Sequence, residues 1–112
     1  MIQIPITKEE WNEEKQFWLL ELEINADLPF FKGHFPSHPI VPGAFQLQWV
    51  LDQCQRLGLA GKSITQVNRV KFKSLMLPNT KVMLKLTKSP SNKISFTYFS
   101  NDEIFSSGSL NT

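Results

Sequence analysis

The sequence predicts an α+β fold, with one long helix lying on a face of an antiparallel sheet. Three patterns carry that expectation. Apolar residues recur at spacings of three and four between Gly43 and Leu57, as on one side of a helix. They alternate with polar residues from Gln16 to Ile24. They alternate again, in successive short runs after Lys62 separated by turn-forming residues.

Thr7-Lys-Glu-Glu10 has capping-box spacing, which predicts a short helical turn over residues 7–14. In the strand from Gln16 to Ile24, Trp18, Leu20, Leu22 and Ile24 share one face, and Glu21 and Glu23 the other. Phe17 and Leu19 interrupt the polar face, so it is expected to be partly covered. The helix from Gly43 to Leu57 places Ala44, Leu47, Leu51 and Cys54 on its core side, with Val50 beside them. Gly58 and Gly61 end it. Gln48, Asp52 and Gln55 share an adjacent flank.

Beyond the helix the pattern is all strand. Val70 and Phe72 alternate with Arg69, Lys71 and Lys73, and Pro78-Asn79 makes a turn. Val82, Leu84 and Leu86 alternate with Lys81, Met83 and Lys85, and Ser89-Pro-Ser-Asn92 turns the chain again. Ile94, Phe96 and Tyr98 alternate with Lys93, Ser95 and Thr97. Asn101-Asp102 then precedes a last strand from Ile104 to Leu110. One helix covers only part of such a sheet, and strand edges need partners, so a homodimer is expected.

The 112 residues suit one domain, residues 1–112, with a single core. A hydrophobic fraction of 41%, with nine Phe and three Trp, favours folding over disorder. The net charge of +2 and the lack of basic runs argue against nucleic acid. The single Cys54 excludes an internal disulfide and fits a reducing cytoplasm. No apolar run approaches the roughly 20 residues that span a bilayer, and the Met-Ile-Gln-Ile-Pro start lacks the marks of a signal peptide.

The segment Phe31-Lys-Gly-His-Phe-Pro-Ser-His-Pro-Ile-Val-Pro-Gly-Ala44 is the most constrained in the chain, with three prolines and two glycines. It presents His34 among apolar neighbours, where a neutral imidazole can take or return a proton near pH 7. His38 precedes Pro39, which biases it toward an extended backbone facing elsewhere. Two histidines without Cys, Asp or Glu at ligand spacing make a poor zinc site, so no metal is expected. Gly43 and Ala44 begin the helix with free N–H groups. Asp52 is the one carboxylate inside the helix, and Gln48, one turn earlier, can orient a hydroxyl but not titrate. Arg69, Lys71, Lys73, Lys81 and Lys85 read either as a solvated strand face or as a dock for an acidic partner.

Gly33-His-Phe-Pro-Ser-His-Pro-Ile-Val-Pro-Gly43 resembles the signature of the hot-dog-fold dehydratases that act on 3-hydroxyacyl groups carried by acyl carrier protein. Arg69-Val-Lys-Phe-Lys73, Leu77-Pro-Asn-Thr80 and Ser107-Gly-Ser-Leu110 resemble that family's later strands. The short length and the stretch Gln46-Leu-Gln-Trp49 resemble the small dehydratases of aryl polyene clusters. The resemblance implies a hot-dog fold, a long central helix wrapped by an antiparallel sheet and paired as a dimer, with an active site spanning the dimer interface.

It further implies that His34 is the base for the C2 proton and that the Gly43 N–H polarises the thioester carbonyl. Phe31, Phe35, Pro42, Ala44, Phe45 and Trp49 would bind the acyl chain, and Arg69, Lys71 and Lys73 would dock the carrier. The prosthetic phosphopantetheine arm belongs to the substrate, so no cofactor of the protein's own is implied. The departure is Gln48, where the family has Asp or Glu to help expel the 3-hydroxyl. Asp52 stands one turn, about 5.4 Å, further on. Three outcomes follow: Asp52 acts as the acid through water, His34 works poorly alone, or the protein binds acyl chains without dehydrating them. The expected activity is dehydration to the trans-2-enoyl thioester, in fatty-acid or aryl-polyene-like biosynthesis. The rivals are a hot-dog thioesterase and a weakly catalytic subunit that partners a homologous dehydratase in a heterodimer.

Overall fold

The computed structural model describes residues 3–31, 40–59, 64 and 66–111, with residue 30 described by its backbone only. Strands β1 (Ile6–Asn12) and β2 (Phe17–Ile24) come first, followed by a 3-10 turn at Pro29–Phe31 and the helix α1 (Gly43–Arg56). Strands β3 (Gln66–Phe72), β4 (Thr80–Lys88), β5 (Lys93–Ser100) and β6 (Glu103–Asn111) complete the chain. They form a six-stranded sheet in the order β1-β2-β4-β5-β6-β3. Every neighbouring pair is antiparallel, and β1 and β3 are its edges.

The helical turn expected over residues 7–14 is instead β1. Trp11 pairs with Trp18, the rings 5.5 Å apart. The Thr7 hydroxyl donates to the Glu21 carboxylate across the pair at 2.7 Å rather than capping a helix. Pairing with a neighbouring strand outweighs the local capping signal, which is worth only about 1 kcal/mol.

Period two is clearest in the central strands. Leu20, Leu22 and Ile24 of β2, Val82, Leu84 and Leu86 of β4, and Ile94, Phe96 and Tyr98 of β5 are all at most 1% exposed. Together with Leu110 of β6 they form one apolar surface, and Trp49, Val50 and Cys54 of α1 complete its core. Three of the turns use asparagine where the backbone enters the left-handed region, with φ of 60° at Asn79, 60° at Asn92 and 49° at Asn101, while the β1–β2 turn uses Gln16 at 56°.

α1 is rotated from the orientation expected. Its buried residues are Gln46, Trp49, Val50, Gln53 and Cys54, while Ala44 is exposed and Leu47 and Leu51 are half-buried. Two glutamines lie inside because their amides find partners: Gln46 on Val41 and Ser106, and Gln53 from Arg56 Nε at 2.6 Å. The Arg56 guanidinium also pairs with Glu9 and ties the end of α1 to β1. Gly58, with φ of 72°, ends the helix, and the Leu59 N–H closes back on the Cys54 carbonyl at 2.9 Å. Gly61 lies outside the described residues.

Candidate active site at the helix N-terminus

His34, Phe35 and His38 lie outside the described residues. The site is therefore built from the helix that follows them. Pro42 is the N-cap, extended at φ −60° and ψ 142°, and it supplies no side-chain cap. The Phe45 and Gln46 N–H groups turn back to the Pro42 carbonyl, each at 3.1 Å. The Gly43 and Ala44 N–H groups find no acceptor among the described residues. No acidic side chain stands in the first turn. The positive end of the helix dipole is thus left uncompensated, where an oxygen carrying negative charge is stabilised.

Gly43 is fitted to this place. The Phe72 ring lies over it, and a Cβ there would stand 2.8 Å from the ring. Phe72 itself is 54% exposed. Val41, two residues before Gly43, is buried, and its N–H donates to the Met76 carbonyl at 2.8 Å. Pro42 and Phe45 are half-buried beside the helix start. Phe31 and Trp49, also expected along an acyl tunnel, belong to the buried core cluster. The Trp49 indole N–H has no partner among the described residues.

Gln48 and Asp52 do meet. The Gln48 amide nitrogen donates to Asp52 Oδ1 at 3.1 Å. The carboxylate fixes which end of the amide is which, so Gln48 turns its carbonyl oxygen away from Asp52. Gln48, Leu51, Gln55 and Ile64 line a shallow depression of about 280 Å³. Gly43 and Gln48 are five residues apart, about 140° around the helix and about 7.5 Å along it. They face different directions.

Arg69, Lys71 and Lys73 lie together on and just after β3. With Lys93 they border an open groove of about 710 Å³ whose walls include Ser95, Thr97 and Ser107. No acidic residue lines it, and none of the four cations forms an ion pair among the described residues. Lys81 pairs instead with Glu21 at 3.9 Å, and Lys85 lies 4.4 Å over the Phe17 ring.

Two buried titratable groups belong to the core rather than to chemistry. Burial pushes the Cys54 thiol up to about 12, which makes it a poor nucleophile. Burial first, and the neighbouring Cys54 second, hold the Tyr98 hydroxyl well above its usual range. It stays protonated and donates to the Gln46 carbonyl at 2.8 Å. No cluster of three metal-ligating side chains occurs among the described residues. None of their helices is long and apolar enough to cross a membrane. The sequence reading missed Gln46, Ser106 and Lys93. A glutamine three residues into an apolar-patterned helix was the only available signal for the first.

A fold of this kind, one helix on a six-stranded antiparallel sheet, defines a hot-dog-type protein. A family model described as ApeI-like, ApeI dehydratase, matches residues 9–109. The chain belongs to that ApeI-like family, within the hot-dog 3-hydroxyacyl-[acyl-carrier-protein] dehydratases. Among solved structures it is similar to the dehydratase heterocomplex ApeI:P from Xenorhabdus doucetiae. The TM-score is 0.87 at 26% identity, covering 98% of this chain and 97% of that one. An uncharacterized protein from Erwinia carotovora subsp. atroseptica is similar at TM-score 0.77 and 25% identity, over 98% and 93% of the two chains. Among curated proteins, a 3-hydroxyacyl-[acyl-carrier-protein] dehydratase of Clostridium beijerinckii is 34% identical over 80 residues. These are 64% of this chain and 56% of that protein. The chain therefore spans little more than half the length of that relative.

Proposed function

We propose that the protein dehydrates a 3-hydroxyacyl thioester carried on acyl carrier protein to the trans-2-enoyl thioester. The observation that carries this reading is the start of α1. Two N–H groups without acceptors among the described residues and no acid in the first turn suit the oxygen of an enolising thioester. His34, nine residues before Gly43, takes the C2 proton. The electron pair forms the C2–C3 double bond, the C3–O bond breaks, and the hydroxyl leaves with one proton as water. Gln48 accepts a hydrogen bond from that hydroxyl through its outward carbonyl oxygen. Asp52 holds a bridging water that passes the proton taken by His34 on to the departing hydroxyl. The carrier brings the substrate on its own arm, so the chain needs no cofactor. The four-cation groove of Arg69, Lys71, Lys73 and Lys93 receives the acidic carrier.

The protein works as a pair. The β3 edge and the segment after it expose Val67, Phe72, Leu75 and Leu77 at 41–65%, more apolar surface than a lone small domain favours. Gly43 and Gln48 point apart on one helix, so Gln48 serves the loop of the other protomer. That other protomer is either a second copy or a homologous dehydratase subunit. The heterocomplex known for the similar Xenorhabdus protein and the amide at position 48 favour the homologous subunit, with this chain the weaker catalyst of the two. Incubating the purified protein with a 3-hydroxyacyl carrier protein and following its mass tests the reading. A loss of about 18 Da marks dehydration, while free carrier thiol marks the thioesterase rival. No change alone, with turnover on adding the partner subunit, marks the heterodimer.

A further inference from the structure

At the root of α1 lies a buried polar cluster that the reaction above does not use. Gln46 is 5% exposed, Ser106 0% and Tyr98 1%. Ser106 Oγ donates to Gln46 Oε1 at 2.7 Å, and Gln46 Nε2 donates to the Val41 carbonyl at 3.1 Å. The Tyr98 hydroxyl donates to the Gln46 backbone carbonyl at 2.8 Å. One residue thus joins three elements: β5 through Tyr98, β6 through Ser106, and the segment entering the helix through Val41. An apolar side chain would fill this place without the cost of desolvating an amide and freezing its rotamers. Gln46 makes these bonds only at one rotation and one height of α1 against the sheet, because each residue turns the helix by about 100°. Val41, which Gln46 grips by its carbonyl, is held by its N–H on Met76. It stands two residues before the Gly43 N–H.

We propose that Gln46 is a positioning residue. Clamped between Ser106 and Val41, it sets where the Gly43 N–H stands relative to the thioester carbonyl. The inference rests on the dehydratase reading for its kinetic consequence, but the clamp itself is tested separately. A misplaced oxyanion donor raises the barrier more than it weakens binding, so kcat falls and KM does not.

Gln46→Met keeps length and volume and removes both side-chain bonds, and Ser106→Ala removes one. Gln46→Met should lower kcat about tenfold, with KM for the hydroxyacyl carrier changed by less than about twofold. Ser106→Ala should lower kcat about threefold, and the double variant should be no worse than Gln46→Met alone, since both act through one amide. Hydrogen exchange of the wild type and both variants gives the readout independent of activity. The Val41 N–H should exchange about tenfold faster in Gln46→Met, while the β4 amides of Leu84 and Leu86 keep their protection. Ser106→Ala carries the test if Gln46→Met fails to fold. The proposal is overturned if kcat holds within about twofold of wild type in the variants that fold, if the losses of the two variants multiply, or if Val41 exchange is unchanged. A wild type that turns nothing over, even with a partner subunit, sinks the dehydratase reading alone. The exchange measurement still decides the clamp.

Discussion

Gln48→Glu should move stability and activity in opposite directions. In the wild type the Gln48 amide donates to Asp52 Oδ1 at 3.1 Å on an exposed flank of α1. The variant loses that bond, worth about 0.2–0.5 kcal/mol for a pair one turn apart. It also sets two carboxylates at similar separation. In a water-like dielectric the repulsion at 3.1 Å is about 1.3 kcal/mol before salt screening reduces it. The sum is a loss of about 1 kcal/mol, or about 4 °C in melting temperature for a domain of this size. Turnover should rise, because a carboxylic acid at 48 can donate the proton that an amide cannot. General acid catalysis is commonly worth at least about a hundredfold, and a tenth of that would already be plain. Thermal melting and mass-detected turnover on the same preparation check both halves. A lower melting temperature with unchanged turnover would show that position 48 does not face the leaving hydroxyl. An unchanged melting temperature would refute the Gln48–Asp52 pairing.

His34→Ala should abolish turnover. Asp52→Asn should lower it clearly in the same mass assay, and an unaffected Asp52→Asn removes that carboxylate from the mechanism. Reversing the groove with Lys71→Glu and Lys93→Glu together should raise KM for carrier-bound substrate about tenfold while leaving a small diffusible thioester unaffected, as competing kinetics would show. Alkaline pH should destabilise the fold. Cys54 and Tyr98 are both held protonated by burial, so the unfolded chain releases protons that the folded one keeps. Their contribution is complete below the ordinary thiol value of about 8.5. It is lost as pH rises toward about 12. Denaturant midpoints measured from pH 7 to 11 should fall, and a Cys54→Ala variant should flatten the first part of that decline.

What was legible in the sequence depended on how far away the deciding partner lies. β4 and β5 could be read because every second residue is apolar and one face is wholly buried; Val82, Leu84, Leu86, Ile94, Phe96 and Tyr98 declare themselves locally. The extent of α1 was equally plain from Pro42-Gly43 and Gly58. Its orientation was not, because Gln46 and Gln53 look like surface residues until Ser106 and Arg56 are brought to them. β1 was misread because a capping box is a local signal, while the pairing of Trp11 with Trp18 is not. The helix-start half of the candidate site was foreseen in Gly43, and the Gln48–Asp52 flank in their spacing of four. Lys93 escaped because it belongs to a different strand from Arg69, Lys71 and Lys73, and only the order β5-β6-β3 places it among them.

The hairpins from β4 to β6 close over short turns, so they are expected to form early and independently of the N-terminal half. The contacts that seat α1 come from Tyr98 and Ser106, separated from Gln46 by 52 and 60 positions, and such distant closures come late. During synthesis, then, the residues through β6 must leave the ribosome before α1 can settle. A nascent chain stalled short of β6 would carry Gly43, Gln48 and Asp52 and still lack the platform on which to seat their helix.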